Sequence, residues 1–388
     1  MLGKIFSKAV TRKAIKANKT THSQDELDEL IKETLQAYRS DNFPVGVLSV
    51  CQQITITHCT DVIPSVLIDL TMPFVCRGEL DIVAETLSMN LSIQVSINIA
   101  LMVTPVRQLS LGKKGAQVNN TNVANIIAIA SGKGGVGKST TTVNLAHALM
   151  CEGAKVGILD ADIYGPSIPT MLGLQGQKPS TKDGSLMSPI DAGGLCAMSI
   201  GFLVPANDAT VWRGPMASSA FTQLLNETDW PDLDYLLVDM PPGTGDIQLT
   251  LAQKIPVAAA VIVTTPQDIA LADAVKGMAM FDKVKVPVLG IVENMSYHHC
   301  EQCGYKSHMF GKNGGEHLAR DYNTRLLGEL PLNIAIREDA DLGHSEVVEN
   351  SSGEIATYYR KIARNISAQL YLQCDITSPL TATLSIKD

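Results

Sequence analysis

Ten residues from Ser131 to Thr140, SGKGGVGKST, have the types and spacing needed to grip a chain of phosphates. Gly132, Gly134, Gly135 and Gly137 let the backbone curl until several N–H groups aim at one anion. Lys138 can reach the outer phosphates, and the Ser139 hydroxyl can sit on Mg²⁺. An apolar run, Ile126–Ala130, precedes the loop and a helix-like run, Thr141–Met150, follows it. Strand, loop and helix in that order are the setting a phosphate loop requires, and the helix N-terminus adds partial positive charge at the same place. The nucleotide contacts are therefore expected from Gly132, Lys133, Gly134, Gly135, Val136, Gly137, Lys138, Ser139 and Thr140. Lys133 lies too close in sequence to its own phosphates to add reach. It can instead point outward, toward a nucleotide held by a second copy of the chain.

Carboxylates stand at two further strand ends. The run Gly157–Pro166 (GILDADIYGP) places Asp160 and Asp162 at one tip, and Tyr235–Asp246 (YLLVDMPPGTGD) places Asp239 at another. A carboxylate there can hold Mg²⁺, commonly through water, while the ion bridges phosphate oxygens. Gly243 lies where a backbone N–H can sense the terminal phosphate. One aspartate after a strand is ordinarily a cap or turn residue. Two such tips and a phosphate loop in one sheet favour nucleotide chemistry.

Cys300 and Cys303 form C-x-x-C within SYHHCEQCGYKSHMFG. Four readings stay open on the residues alone. A zinc site would need two more ligands, for which His298, His299 and His308 are candidates. A redox pair wants its first cysteine at a helix N-terminus, whereas this pair falls in a loop containing glycine and histidine. Two idle thiols are the third reading. The fourth is half of a [4Fe–4S] ligand set, completed by a two-fold dimer that brings four thiolates to its axis. Cys51, Cys59, Cys76, Cys151, Cys196 and Cys374 are read as buried thiols.

The rest of the chain must position these groups. Its 388 residues suffice for two domains and a sizeable core. A net charge of −8 gives no general nucleic-acid surface. The longest apolar stretch, Val257–Val263, is too short to span a membrane, so no stable membrane insertion is expected. Scattered cysteines and no export signal point to a reducing, cytoplasmic residence. Residues 1–24 form a basic tail with Lys4, Lys8, Arg12, Lys13, Lys16 and Lys19, read as a frayed end or short extra helix rather than a transit peptide. Residues 25–108 read as a small α+β domain: helix Asp25–Tyr38, strands Val47–His58 and Val62–Met72, helix Glu79–Ser88, strand Leu91–Val103. A polar linker covers 109–124, and 125–388 is the larger domain. There, apolar strands are predicted at Ile126–Ala130, Val156–Asp160, Tyr235–Asp239, Ala258–Thr264 and Val288–Glu293. Helices are predicted at Lys138–Cys151, Gly214–Thr228, Ile247–Gln253, Ala270–Phe281 and Glu354–Leu372. That alternation is α/β, a doubly wound and mostly parallel sheet with ligands at the carboxyl ends of its strands.

Lys133–Ser139 matches K-G-G-x-G-K-[ST], the pattern of the deviant-Walker P-loop ATPases, the group that includes the MinD and ParA proteins and the nitrogenase iron protein. With DADIYGPSIP, WRGPM, DMPPGTGD, TTPQDIAL, IVENMS and C-x-x-C, the chain from Asn125 to Tyr371 resembles the Mrp/ApbC-type iron–sulfur cluster carrier ATPases, which often carry a small N-terminal domain. The resemblance implies a homodimer in which Lys133 reaches the partner's nucleotide. It implies that Asp162 orients the attacking water, Asp160 supports the metal site and Asp239 is the Walker B acid. Asn294 would bond the adenine base, beside Pro331 and Leu332. The implied cofactors are ATP, Mg²⁺ and a bridging [4Fe–4S] cluster on Cys300 and Cys303. The implied partners are apo iron–sulfur proteins and a cluster-assembly scaffold. The family's small domain often has a functional cysteine after Thr-x-Pro; here Thr71-Met72-Pro73 is followed by Cys76 at an offset spacing. The alternative is a MinD/ParA-like positioning ATPase acting on membrane or DNA. That class usually ends in a membrane-seeking helix or carries basic patches. Glu354–Leu372 has only Arg360, Lys361 and Arg364 as cations. An ATP-driven reductase like the nitrogenase iron protein is a third possibility, but its cysteines come from two separate loops.

Overall fold

A computed structural model describes residues 23–59, 64–106, 122–182, 186–204 and 214–373. The basic tail, most of the linker and Cys374 lie outside the described residues. The chain divides into two compact units, one running to Thr104 and resuming at Ser367, the other spanning Pro105–Ile366.

In the smaller unit, helix α1 (Gln24–Ala37) starts at a capping box, with Ser23 and Glu26 each bonding the other's backbone N–H. Strands β1 (Gln53–Cys59) and β2 (Ser65–Met72) pair antiparallel. Helix α2 (Arg77–Leu91) then returns the chain to β3 (Gln94–Leu101), which lies parallel to β2. Inward residues alternate along β2, and Ile68 and Leu70 join Ile31, Leu35, Phe43, Leu80 and Val83 in one core. Ala368 and Tyr371 complete that core. The end of the last helix thus groups with the smaller unit, where the sequence reading gave everything from 125 onward to the larger one. Cys76 is buried at the start of α2, as expected. Cys51, Cys59, Cys151 and Cys196 are only half-buried, a correction to their reading as buried thiols.

The larger unit is built on a nine-stranded sheet. Its strands are β4 (Val123–Ala130), β5 (Val156–Asp160), β8 (Ile190–Ala192), β9 (Leu195–Ser199), β10 (Leu233–Asp239), β11 (Ala259–Thr264), β12 (Val288–His299), β13 (Lys306–Ser307) and β14 (Leu326–Pro331). The short strands β6 (Thr181–Lys182) and β7 (Leu186–Met187) pair separately. The sheet order is β13-β12-β11-β4-β10-β5-β9-β8, with β14 on the free side of β12. Only the β12–β13 and β8–β9 pairs are antiparallel. β5 and β11 are buried at every residue, as parallel strands covered on both faces must be. The helices are α3 (Lys138–Cys151), α4 (Ile168–Met171), α5 (Gly214–Asn226), α6 (Asp246–Lys254), α7 (Asp268–Lys283), α8 (Gly314–Asp321), α9 (Ile334–Leu342), α10 (Glu346–Glu349) and α11 (Glu354–Gln373). The fold is the expected α/β arrangement. The register sets Asp239 beside Asp160 on β5 and beside Ile129 on β4, so three strand ends deliver their loops to one place. Among the described residues no helix is long and apolar enough to cross a membrane.

Candidate nucleotide and thiol sites

The loop after β4 turns into α3 through Gly137, whose φ of 81° lies in the left-handed region. A Cβ there would also lie 2.2 Å from the Asn294 amide nitrogen. At Gly132 a Cβ would strike the Asp273 backbone on α7 at 2.2 Å. The loop can therefore take this path only with glycine at both positions. Ser131 Oγ donates to the Lys133 carbonyl at 2.9 Å, and the Gly243 N–H donates to the Ser131 carbonyl at 3.1 Å. Gly243 thus braces the base of the loop. Lys133 itself is half-buried and forms no ion pair among the described residues.

Asp239 is the hub. Its carboxylate has no solvent exposure and accepts from Lys138 Nζ at 2.7 Å, Ser139 Oγ at 2.6 Å and Thr142 Oγ1 at 2.8 Å. Ser139 and Asp239 already touch, which brings together one hydroxyl and one carboxylate, oxygen donors of the kind a divalent cation takes. Thr142 was not foreseen. Its signal is its place one helical turn after Lys138, on the same face of α3.

Asp160 is equally buried. It accepts from Ser199 Oγ at 2.9 Å and from the Asp162 N–H at 3.0 Å. Burial pushes its carboxyl up to about 8, and the charge of Asp239 adds to that, against the pull of Lys138 and these hydrogen bonds. Asp162 is half-buried, and its carboxyl is raised mainly by burial. It lines a cavity of about 340 Å³ with Tyr164, Pro241, Pro242 and Gln248, between the loops that follow β5 and β10. A water held there would lie between the loops that carry Asp162 and Gly243. Asn294 is buried, donates to the Val136 carbonyl at 2.9 Å and accepts from the Met295 N–H at 2.9 Å. It therefore touches the phosphate loop directly. Pro331 and Leu332 line a smaller cavity of about 140 Å³ that also includes Cys300 and Tyr358.

Strand β12 runs on past the predicted end at Glu293 and turns into β13, with His299 opposite Lys306. Cys300 and Cys303 occupy the tip of that hairpin. The Cys300 N–H donates to the Tyr305 carbonyl at 3.0 Å, and the Gly304 N–H donates to the Cys300 carbonyl at 2.8 Å. Cys303 is exposed and Cys300 half-exposed. Backbone N–H groups of Cys303 and Gln302, with the Cys303 thiol, hold the Cys300 thiol below its ordinary value. Among the described residues no three His, Cys, Asp or Glu side chains converge on a metal position. His308 Nδ1 is instead engaged by the Ser296 carbonyl at 3.0 Å. The zinc set of His298, His299 and His308 with the two thiols is thus not assembled within one chain. The pair also sits in a turn, away from any helix N-terminus, which removes the geometric basis of the redox reading.

Comparison with known proteins gives a consistent picture. Residues 122–367 match the ParA family, described as NUBPL iron-transfer P-loop NTPase. An iron-sulfur cluster carrier protein of Salmonella typhimurium is 54% identical over 318 residues, covering 80% of this chain and 84% of that protein. The iron-sulfur cluster transfer protein NUBPL of Mus musculus is 50% identical over 250 residues, covering 64% of this chain and 78% of its own. A solved nucleotide-binding protein of Archaeoglobus fulgidus, in complex with ADP, is 38% identical with a TM-score of 0.54, over 62% of this chain and 93% of that one.

Proposed function

The chain belongs to the family of NUBPL-type iron-transfer P-loop NTPases, and from that premise we propose that it carries iron–sulfur clusters to apo-proteins in a cycle tied to ATP binding and hydrolysis. The observation that carries this reading is the thiol pair at the hairpin tip. Cys303 is exposed and Cys300 half-exposed, backbone N–H groups acidify Cys300, and no third ligand converges on the pair among the described residues. A [4Fe–4S] cargo needs four thiolates. Two copies related by a two-fold axis supply them. Ligation at an outer edge leaves the cargo open to attack by a recipient's thiolates.

The nucleotide half follows from the hub. Before Lys138 can reach a terminal phosphate it must leave Asp239. Phosphate oxygens would compete for its ammonium, and the freed Asp239 carboxylate, with the Ser139 hydroxyl, would hold Mg²⁺, which supplies charge neutralisation at the phosphates. Asp162 orients the attacking water, and Lys133 reaches the nucleotide of the second copy. Phosphoryl transfer of this kind asks for placement and charge neutralisation rather than covalent chemistry.

The test is iron and acid-labile sulfide analysis of protein purified without oxygen, followed by transfer to an apo-protein. About four iron per dimer are expected, and Cys300→Ala or Cys303→Ala should lose them. Full iron content in both variants overturns the reading.

A further inference from the structure

One strand, β12, touches the phosphate loop and leads to the thiol pair. Asn294, which bonds the loop at Val136, is six residues before Cys300, and β12 is continuous almost to the thiol. Between them the strand is irregular. On β12, Glu293 faces Glu329 and Tyr297 faces Pro331. Three residues on β12 therefore oppose one on β14, which is a bulge carrying two extra residues. Met295 at its centre has a φ of 55°, in the left-handed region. Such a conformation persists only where neighbours hold it.

Those neighbours can be named. Asn294 ties the bulge to the phosphate loop. Ser296 donates to Glu293 and, at 3.2 Å, to Glu329. The Ser296 carbonyl accepts from His308 Nδ1 at 3.0 Å. His308 follows β13, on the returning arm of the hairpin that carries the thiols. The hairpin is thus fastened to the bulge at both ends, by the backbone of β12 and by the imidazole.

We propose that His308 is a positioning residue that couples occupancy of the phosphate loop to the geometry of Cys300 and Cys303. Phosphates draw the N–H groups of residues 132–140 inward, and the peptide that carries the Val136 carbonyl lies in that stretch. Movement there alters the Asn294 hydrogen bond, the bulge shifts, and His308 passes the shift to the hairpin. The returning arm pairs with β12 at His298–Ser307 and His299–Lys306, and the imidazole adds a second tie, from that arm to the bulge itself. The inference rests on the thiols being the functional pair, as the proposed function has them, but not on any cluster being bound.

The test uses reduced, cluster-free protein. Alkylation of Cys300 and Cys303 by iodoacetamide is timed by peptide mass spectrometry, with and without Mg·ADP. Linked sites commonly couple by factors of about five or more, so a change of about fivefold in the Cys300 rate is expected in the natural sequence. His308→Ala should bind Mg·ADP with unchanged affinity and lose the nucleotide effect. His308→Asn, whose amide nitrogen takes the place of Nδ1, should keep it. Thiols that ignore the nucleotide in the natural sequence, or that still respond in His308→Ala, overturn the proposal. Normal iron loading with an undiminished response in His308→Ala sinks the coupling alone. A response that depends on His308 in protein that never binds iron sinks the carrier reading alone.

Discussion

Asp160→Asn isolates the buried acid beside the hub. The folded protein keeps the Asp160 carboxyl protonated up to about 8, whereas the ordinary value is 3.8. Between those two values the native state holds a proton that the unfolded chain has released. Raising the pH therefore favours the unfolded chain, and stability falls as pH rises through this window. A full one-proton difference is worth about 1.4 kcal/mol per pH unit, so going from pH 5 to pH 8 costs at most about 4 kcal/mol. Asparagine has nearly the same shape and does not titrate; its carbonyl oxygen can still accept from the Asp162 N–H while its amide nitrogen, in place of the second carboxylate oxygen, donates to Ser199 Oγ. The stability of Asp160→Asn minus that of the natural sequence should be small at pH 5 and widen steadily toward pH 8. For a unit of this size each kcal/mol moves the melting temperature by about 2–4 °C, so the gap should open by up to roughly 8–16 °C. Calorimetric scans of nucleotide-free protein at four pH values measure it. A gap that stays constant, or closes as pH rises, shows that Asp160 is ionised in the folded protein and refutes the account of the hub.

Three further perturbations probe the same unit. Lys138→Ala should lower ATP turnover by at least about 10²–10³-fold, the usual loss when one aligned donor to a developing charge is removed; unchanged turnover in a phosphate-release assay would remove Lys138 from the site. Lys133→Ala should leave nucleotide binding intact but abolish nucleotide-dependent dimers in sedimentation velocity, and dimers of undiminished stability would show that the lysine faces its own loop. Glu152→Ala strands Arg360 and Arg364, which meet the buried carboxylate at 2.9 and 2.6 Å, and should cost about 3 kcal/mol in urea unfolding. The low end of the range for broken buried pairs applies because the arginines keep 20% and 14% exposure.

Much of this arrangement can be read from local sequence. β5 and α3 have the bounds that their residues predict, because an apolar run meets Asp160 at one and Gly137-Lys138 begins the other. Asp239 at the end of β10 is equally plain. What escapes the sequence is held by partners remote along the chain. The predicted strand stops at Glu293 because Asn294, Met295 and Ser296 break its apolar run. The structure carries it on to His299 because Val136, Glu329 and His308 satisfy the bulge. The small hairpin of β8 and β9 was missed although Gly193 and Gly194, with φ of 67° and 96°, are a two-residue turn signal. The protonated state of Asp160 depends on burial and on Asp239 across a strand pair, and no spacing along the chain reports either.

The cysteines show how one residue type takes different roles by position. Burial pushes the thiols of Cys51, Cys151 and Cys196 up, away from the thiolate form that binds metal. Cys300 is shifted the other way by N–H groups of its own turn, at a site open to solvent. A ligand acidified by burial beside a fixed cation would be both reactive and hard to reach. A ligand acidified by turn geometry is reactive and open at once. For a chain that must take up a cluster and let it go, the second arrangement lowers the barrier to exchange with a recipient's thiolate, since no desolvation separates the two. The hairpin tip meets that requirement, and the buried bulge beneath it gives a nucleotide, bound elsewhere on the same sheet, a means of adjusting it.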